Sequence, residues 1–416
     1  EGACHGSAAI MKGRNLVSRS SSRSAFSSRT LALFSAFTCG LALSTGACAV
    51  NMDNWKLTKM DPSLRQEGEA ICPRSKVQIK VYAEVEHKKK PGKTKALETW
   101  EGEAKTLSFG KIGKIDFKEF VFSSDQGSID DNGFFTPNPD VLVSAASGFA
   151  ITTAYKADAA FYKTREYRPE YSCILDAGSS GVAGPGGDSG SGGTPGASGS
   201  SGASDKAGGQ GSNGTAGGQG SNGGDGQPGP NLQVYATFVK TPFHEKLALV
   251  KISGDTEDTV LIHPDKTFTV HASGGPGGGG GSGGSGGPGG RGGSGNPGGN
   301  GGNGGAGGNG GVGGNGGPGG TITFTYDPKF PELASLVVLD VAGGPGGSAG
   351  SAGSAGTKGS GGSATGEGAK GGGDGAAGAP GAQGQGGSSG PDGKAQAQAG
   401  NVDSVFSGLP DKVERL

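Results

Sequence analysis

Gly298-Gly-Asn-Gly-Gly-Asn-Gly-Gly-Ala-Gly-Gly-Asn-Gly-Gly-Val-Gly-Gly-Asn-Gly-Gly-Pro-Gly-Gly320 puts glycine at two positions in every three and lets only the third vary. Counting by threes extends the pattern outward. From Gly274 to Gly319 all 16 positions are Gly, and the residue after each is Gly in 15, Asn296 being the exception. From Gly178 to Gly229, 17 of 18 positions are Gly, with Asp205 the exception. From Gly344 to Gly362 all seven are Gly. The register then slips by one after Ser363-Ala-Thr, and nine of ten are Gly from Gly366 to Gly393, Ala369 being the exception. A flexible linker has no reason to hold register. Period three matches a left-handed extended helix with three residues per turn and a rise of about 3.1 Å per residue. Such a backbone makes no hydrogen bonds within itself, so its N–H and C=O groups need partners on a neighbour.

Each glycine-rich segment is broken once near its middle. Asp205-Lys206 interrupts the first and Asn296-Pro297 the second, and the slip ending in Ala369-Lys370 interrupts the third. Asp, Asn and Pro form turns. The spacing therefore predicts three hairpins, 178–230, 274–320 and 344–400, each with two arms of roughly 23 residues and about 70 Å. Six antiparallel arms follow. Those of 274–320 present two Gly edges and are expected in the centre, with the other hairpins flanking them. A collagen-like trimer uses the same backbone but normally needs much Pro at the other positions, and 178–230 holds only Pro185, Pro195, Pro228 and Pro230. The GGX text resembles the springtail-type glycine-rich antifreeze proteins, and that resemblance implies a bundle of polyglycine II helices within one chain.

Composition supports small cores only. The 416 residues include 93 Gly and 22 Pro, with 31% hydrophobic and 6% aromatic, too little for one large apolar core along the chain. With 36 Lys and Arg against 37 Asp and Glu, nothing in the charge balance suggests an electrostatic nucleic-acid binder. Two β modules are expected, giving a mainly β plus polyglycine II fold. In the first, residues 71–177, Val77, Ile79, Val81, Ala83 and Val85 alternate onto one face. Further strands are read at 117–122, 141–143 and 150–155, spaced as in a sandwich. The phrase Ser123-Ser-Asp-Gln-Gly-Ser-Ile-Asp-Asp-Asn-Gly-Phe-Phe-Thr-Pro137 resembles part of bacterial immunoglobulin-like surface domains. The second module is discontinuous, 231–273 and 321–343, with six strands read at 232–240, 246–253, 259–263, 267–272, 321–326 and 336–342. Within it, 234–252 and 321–341 read as an internal repeat. Residues 48–70 read as a linker and 401–416 as a tail.

Residues 1–10 precede Met11 and read as a fragment edge. Residues 11–47 read as an export signal: Lys12, Arg14, Arg19, Arg23 and Arg29 without an acid, then an apolar run from Leu31 to Leu43. Ser44-Thr-Gly-Ala-Cys48 resembles a bacterial lipoprotein site, although Thr45 stands where that family has Leu. The resemblance implies lipidation of Cys48; ordinary cleavage nearby and an organelle transit peptide are the alternatives. The apolar run is too short and too interrupted for a spanning helix. Beyond Cys4 and Cys39, Cys72 and Cys173 bracket the first module. An oxidising compartment would join them, and two separate buried thiols are the alternative. Closing a loop of that size is worth on the order of 4 to 5 kcal/mol by chain entropy.

Few residues suggest chemistry. Asp125, Asp130 and Asp131 are a calcium candidate or a hydrogen-bonded turn, and they lack calcium-loop spacing. The run from His87 to Lys95 is a basic hairpin tip, able to grip acidic polysaccharide or a membrane surface, or simply a solvated edge guard. His263 and His271 could face one side of a sheet, or be ordinary surface residues on their strands. No catalytic set, metal site or cofactor motif is read. The expectation is a non-enzymatic structural or adhesive protein, exported to the bacterial cell envelope or extracellular surface. Its candidate partners are the membrane through a lipid anchor, surface polysaccharide and other matrix components, without nucleic acid. A monomer is favoured over a trimer. The alternatives are an ice-binding protein and a collagen-like trimeric adhesin.

Overall fold

The computed structural model describes residues 49–66, 68–102 and 112–416. The 1–10 segment, the 11–47 signal and Cys48 lie outside them. The fold is β-rich. In the first module the strands are β1 (Trp55–Leu64), β2 (Ala70–Ile71), β3 (Val77–His87), β4 (Thr94–Thr99), β5 (Gly113–Ile115), β6 (Phe120–Ser123), β7 (Gly127–Ile129), β8 (Phe134–Pro137), β9 (Phe149–Tyr155) and β10 (Tyr162–Pro169), with helix α1 (Val141–Ser147) between β8 and β9. One sheet runs β5-β4-β3-β8-β7 with β1 also on β3, and the other runs β2-β10-β9-β6. Val77, Ile79, Val81, Ala83 and Val85 are all buried, so the alternation read for β3 holds.

Two readings of this module need correction, and one long strand is new. Residues 48–70 are not a linker, because β1 pairs with β3 along its length and buries Trp55, Leu57, Met60 and Leu64. A register shift between Leu57 and Lys59 breaks the alternation, and Pro62 looks like a strand breaker, so the strand was hidden. Residues 141–143 begin α1 instead of a strand. Asp140 caps that helix, its carboxylate accepting the Leu142 N–H at 3.0 Å. The long strand β10 had no counterpart in the sequence reading.

The second module contains β11 (Asp176–Gly178), β12 (Asn231–Lys240), β13 (Leu247–Gly254), β14 (Asp258–Ile262), β15 (Phe268–His271), β16 (Thr321–Tyr326), helix α2 (Leu333–Leu336), β17 (Val337–Asp340), β18 (Lys394–Ala399) and β19 (Glu414–Arg415). Its sheets run β11-β15-β17, all parallel, and β14-β13-β12-β16-β18, with β19 on β12. The expected internal repeat does not hold. β12 and β13 pair with each other, whereas β16 joins β12 and β17 joins β15 in the other sheet. Residues 394–399, placed in the third hairpin by the period, form strand β18.

The two modules share a core. Val141, Ala145, Tyr171 and Ile174 of the first pack among Val234, Phe238, Leu247 and Phe268 of the second. A disulfide joins Cys72 and Cys173 across 101 residues, and Cys72 packs against this same core. The bond therefore pins the junction as well as the first module.

The 401–416 segment is not a free tail. Val402, Phe406 and Val413 are buried in the second core, and β19 extends the sheet beside β12. Arg415 reaches the buried Asp327: Nη2 donates to Oδ2 at 2.6 Å and Nε to the same oxygen at 3.2 Å, with Asp403 accepting from Nη1. The Thr237 hydroxyl donates to Oδ2 at 2.9 Å. Burial alone would raise the Asp327 pKa, but Arg415, the Lys329 N–H and Thr237 outweigh it and hold the carboxyl below its ordinary value.

This carboxylate gives a pH prediction. Its folded pKa is depressed, so its stabilisation is complete above the unfolded value near 4 and is lost as pH falls through the lower folded value. Asp327→Asn should flatten the acid limb of the stability curve, measured by urea unfolding between neutral pH and pH 2. Arg415→Ala leaves the buried Asp327 without its charged partner, held only by Thr237 and the Lys329 N–H, and should cost about 3 kcal/mol at pH 7. A loss under 0.5 kcal/mol would return residues 401–416 to the status of a tail.

Candidate functional site

Each glycine-rich segment is folded back on itself. Six arms result: arm 1 (179–203), arm 2 (207–230), arm 3 (272–295), arm 4 (298–320), arm 5 (342–364) and arm 6 (370–393). Asp205 and Lys206 lie in the first turn, where the Lys206 N–H donates to Ala203 O at 3.0 Å. Asn296 and Pro297 form the second bend. The third is displaced from Ala369 and Lys370. It turns at Gly366, Glu367 and Gly368, with both glycines at positive φ, and Lys370 already belongs to arm 6, its carbonyl accepting from Gly298 N–H at 2.8 Å. Two left-handed glycines make a tighter reversal than the register slip indicated.

Hydrogen bonds run between arms at every third residue. Gly181 N–H donates to Ser273 O at 2.8 Å, Gly184 to Pro276 and Gly187 to Gly279, joining arms 1 and 3 in parallel. Gly274 N–H donates to Ala342 O, and Gly277 to Pro345, joining arms 3 and 5 likewise. Arms 2, 4 and 6 form a second parallel layer through Gly211 to Asn300 and Gly301 to Gly373. Between the layers consecutive arms are antiparallel, as in Gly299 to Gly293 and Gly302 to Gly290. Arms 3 and 4 each bond to four others, arms 2 and 5 to three, and arms 1 and 6 to two. Consecutive arms are thus antiparallel while alternate arms are parallel.

Glycine is required at these contacts by proximity. A Cβ on Gly308 would lie 1.8 Å from Gly218 O, and one on Gly278 1.9 Å from Pro185 O. The third residue class is left to face solvent, and it differs between the layers. On layer one it is mostly small and hydroxylic: Ser282 and Ser285 receive hydrogen bonds at 2.9 Å from Ser351 and Ser354, and the arm 3 row carries one charge, Arg291. On layer two it is rich in carboxamides. Asn213 Oδ1 accepts from Asn303 N–H at 2.8 Å, Asn222 Oδ1 from Val312 N–H at 2.9 Å, and Asn300 and Asn303 Oδ1 from Gly373 and Ala376 N–H at 2.8 Å. Sequence reading missed this role. The signal was available in Asn recurring at the one position the glycine period leaves free.

The other candidates are separated by the fold. His271 is on β15 and its Nδ1 lies 2.7 Å from Asp340 Oδ2, while His263 follows β14 in the other sheet, so they do not share a face. The hydrogen bond from His271, against a smaller opposing effect of burial, lowers the Asp340 pKa. Asp130 Oδ1 accepts from Asn132 and Phe134 N–H at 3.0 Å, and its Oδ2 pairs with Lys76 at 2.9 Å, which makes that loop a hydrogen-bonded turn. The stretch from His87 to Lys95 spans the end of β3, the exposed loop 88–93 and the start of β4, with Lys95 Nζ 4.8 Å from the Trp55 ring. Among the described residues no group of three or more His, Cys, Asp or Glu could hold a metal ion. No helix among them is long and apolar enough to cross a membrane. No protein-family model, curated protein or solved structure matches the chain.

The contact distances predict a graded response to alanine. Gly308→Ala places a methyl group inside a backbone contact and should destabilise the protein by about 3 kcal/mol or more. Gly186→Ala meets nothing nearer than Gly279 O at 3.9 Å and should stay within about 0.5 kcal/mol of the parent. Chemical unfolding of both variants checks this, and equal effects would mean that the arms are not packed as described.

Proposed function

We propose that this chain is a non-enzymatic, exported structural or adhesive protein of the bacterial cell surface. Its six arms are polyglycine II helices packed as one stiff bundle, held at one end by the second β module. The observation that carries this reading is the ladder of interarm backbone bonds at every third residue. That spacing is the repeat of a three-residue helix, and the contact glycines supply the close approach the helix needs. Stiffness then comes from backbone hydrogen bonds, which explains how so much of the chain holds together with little apolar side-chain surface. Cα–H to carbonyl contacts between glycine edges add second-order support.

The surface assignment rests on the amino terminus. A lipid on Cys48 would tether the first module, and the disulfide fits an oxidising compartment. The bundle would then project from the envelope toward matrix components. A collagen-like trimer loses support, because the arms take their backbone partners from arms of the same chain. Ice binding keeps one supporting observation, the layer-one face of small residues with a single charge in its central row.

Amide hydrogen exchange of the purified chain tests the bundle. Gly284 and Gly308, in the central arms, should be protected together with the second β module and lose protection cooperatively on heating. Fast exchange throughout 178–230, 274–320 and 344–393 would make these segments linkers. Mass spectrometry of the protein from its native membrane should find lipid on Cys48, and an unmodified amino terminus would remove the anchor.

A further inference from the structure

The layer-two face carries a row of donors already held in place. Asn213, Asn222, Asn300, Asn303, Asn309 and Asn315 each use Oδ1 to accept a backbone N–H of the next arm, at 2.8 to 3.0 Å. Only the carbonyl oxygen of a carboxamide can accept, so these bonds decide which way each side chain is turned. The Nδ2 groups are therefore left on the outside. None of these six nitrogens makes a hydrogen bond within the described protein, and all six residues are exposed.

Three properties define what such a face suits. Its donors are neutral, and the nearby charges are few, Asp225 within the array and Lys370 at its far end. The donors repeat: Asn300, Asn303, Asn309 and Asn315 occupy one row of arm 4 at multiples of three residues, or multiples of about 9 Å in the helix assigned above. Finally, the side chains are already ordered by the fold, so a ligand need not freeze them on binding. A folded protein partner would have to match a straight row of donors set at multiples of one repeat with an irregular surface. An extended polymer of repeating sugar units brings hydroxyl and ring oxygens at regular intervals and needs no charge.

We propose that the layer-two face binds a neutral, extended polysaccharide through these outward carboxamide N–H groups. The inference deepens the surface-protein reading and rests on it. The basic tip from His87 to Lys95 is a different surface and takes no part.

The structure supplies its own test substitution. Asp225 Oδ1 accepts the Asn315 N–H at 2.6 Å, so a carboxylate can replace a carboxamide as acceptor while presenting no outward donor. Asn300→Asp, Asn303→Asp and Asn309→Asp in one chain should keep the fold and remove three donors. The full-length protein is pelleted with microcrystalline cellulose and with chitin, and in parallel with calcium alginate as an anionic matrix. The parent should be retained on at least one neutral glycan in preference to alginate, and the triple variant should bind at least ten-fold more weakly with an unchanged hydrogen-exchange pattern. Ser282→Asp with Ser285→Asp adds charge to the opposite face and should bind as the parent does. No retention of the parent, or equal retention of parent and triple variant, overturns the proposal. So does weaker binding by the Ser282/Ser285 variant equal to that of the triple variant. Thermal hysteresis without glycan retention overturns it in favour of ice. Failure of glycan binding with protected arm amides leaves the structural reading standing, whereas unprotected amides in the parent remove that reading itself.

Discussion

The register of two parallel ladders, β11-β15-β17 and β12-β16-β18, sets the register of everything that projects from them. Arms 1, 3 and 5 leave strands β11, β15 and β17, and arms 2, 4 and 6 enter β12, β16 and β18, in the same lateral order. Gly178 lies opposite His271 in the first sheet, and three residues further Gly181 donates to Ser273. In the second sheet Asn231 lies opposite Thr321, and just before it Gly229 donates to Pro318. The offset between neighbours passes from sheet to arm without a slip. A glycine-rich chain with a three-residue repeat could otherwise pair in many registers of similar energy, because one GGX triplet resembles the next. The apolar core beneath the sheets removes that degeneracy: Val234, Phe268, Val270, Ile322 and Phe324 are fully buried and fit in one alignment only.

The same constraint explains where the lattice stops. An inner arm must bring glycine to neighbours on two sides, and arms 3 and 4 do so with paired Gly classes. At the outer edges one of those classes carries side chains. Arm 1 presents Val182, Pro185, Asp188 and Thr194, arm 5 presents Ala349, Ala352 and Lys358, and arm 6 presents Asp374, Pro380 and Gln383. A further arm or a second molecule would meet these side chains where it needs bare backbone. Two otherwise open amides are also capped from the side, Gly343 by Asp392 and Gly361 by Asp374, both at 2.9 Å. Open edges of a hydrogen-bonded array invite association, and blocking them with charge and proline is how sheets avoid it. The chain thereby ends its own repeat.

How much of this was legible depended on the range of the interaction behind each feature. The arms were readable because their constraint is local and strict: a Cβ at the wrong place meets a carbonyl oxygen near 2 Å, so the text must repeat. Strand β3 was readable because one face is wholly buried. β1 was not, since its register shift and Pro62 erase the alternation, and only pairing with β3 shows that Trp55 and Leu57 belong to a core. The helix at Val141 is seven residues long and is decided by the Asp140 cap more than by propensity. Arg415 and Asp327 are far apart in the chain, and nothing local links them. The disulfide was legible as a pair of cysteines, but its place at the junction of two modules was not.

The glycine period also determines where chemistry is free to vary. Two of three classes in the central arms are held by backbone contact, so substitution there costs fold. The third class faces solvent, and its residues can change without moving the lattice. Both faces could then have drifted into a mixed surface, yet they are different from each other. Hydroxyls and small residues dominate the layer-one rows, whereas layer two repeats Asn at positions where its oxygen completes a neighbouring amide. That bond has a structural role, but it also turns the nitrogen outward at every such site. Stability and surface chemistry are coupled in the same side chain, so selection for a well-satisfied lattice produces an ordered donor face at no extra conformational cost. A function on this protein is therefore best sought on a face, where a repeating ligand can match a repeating backbone.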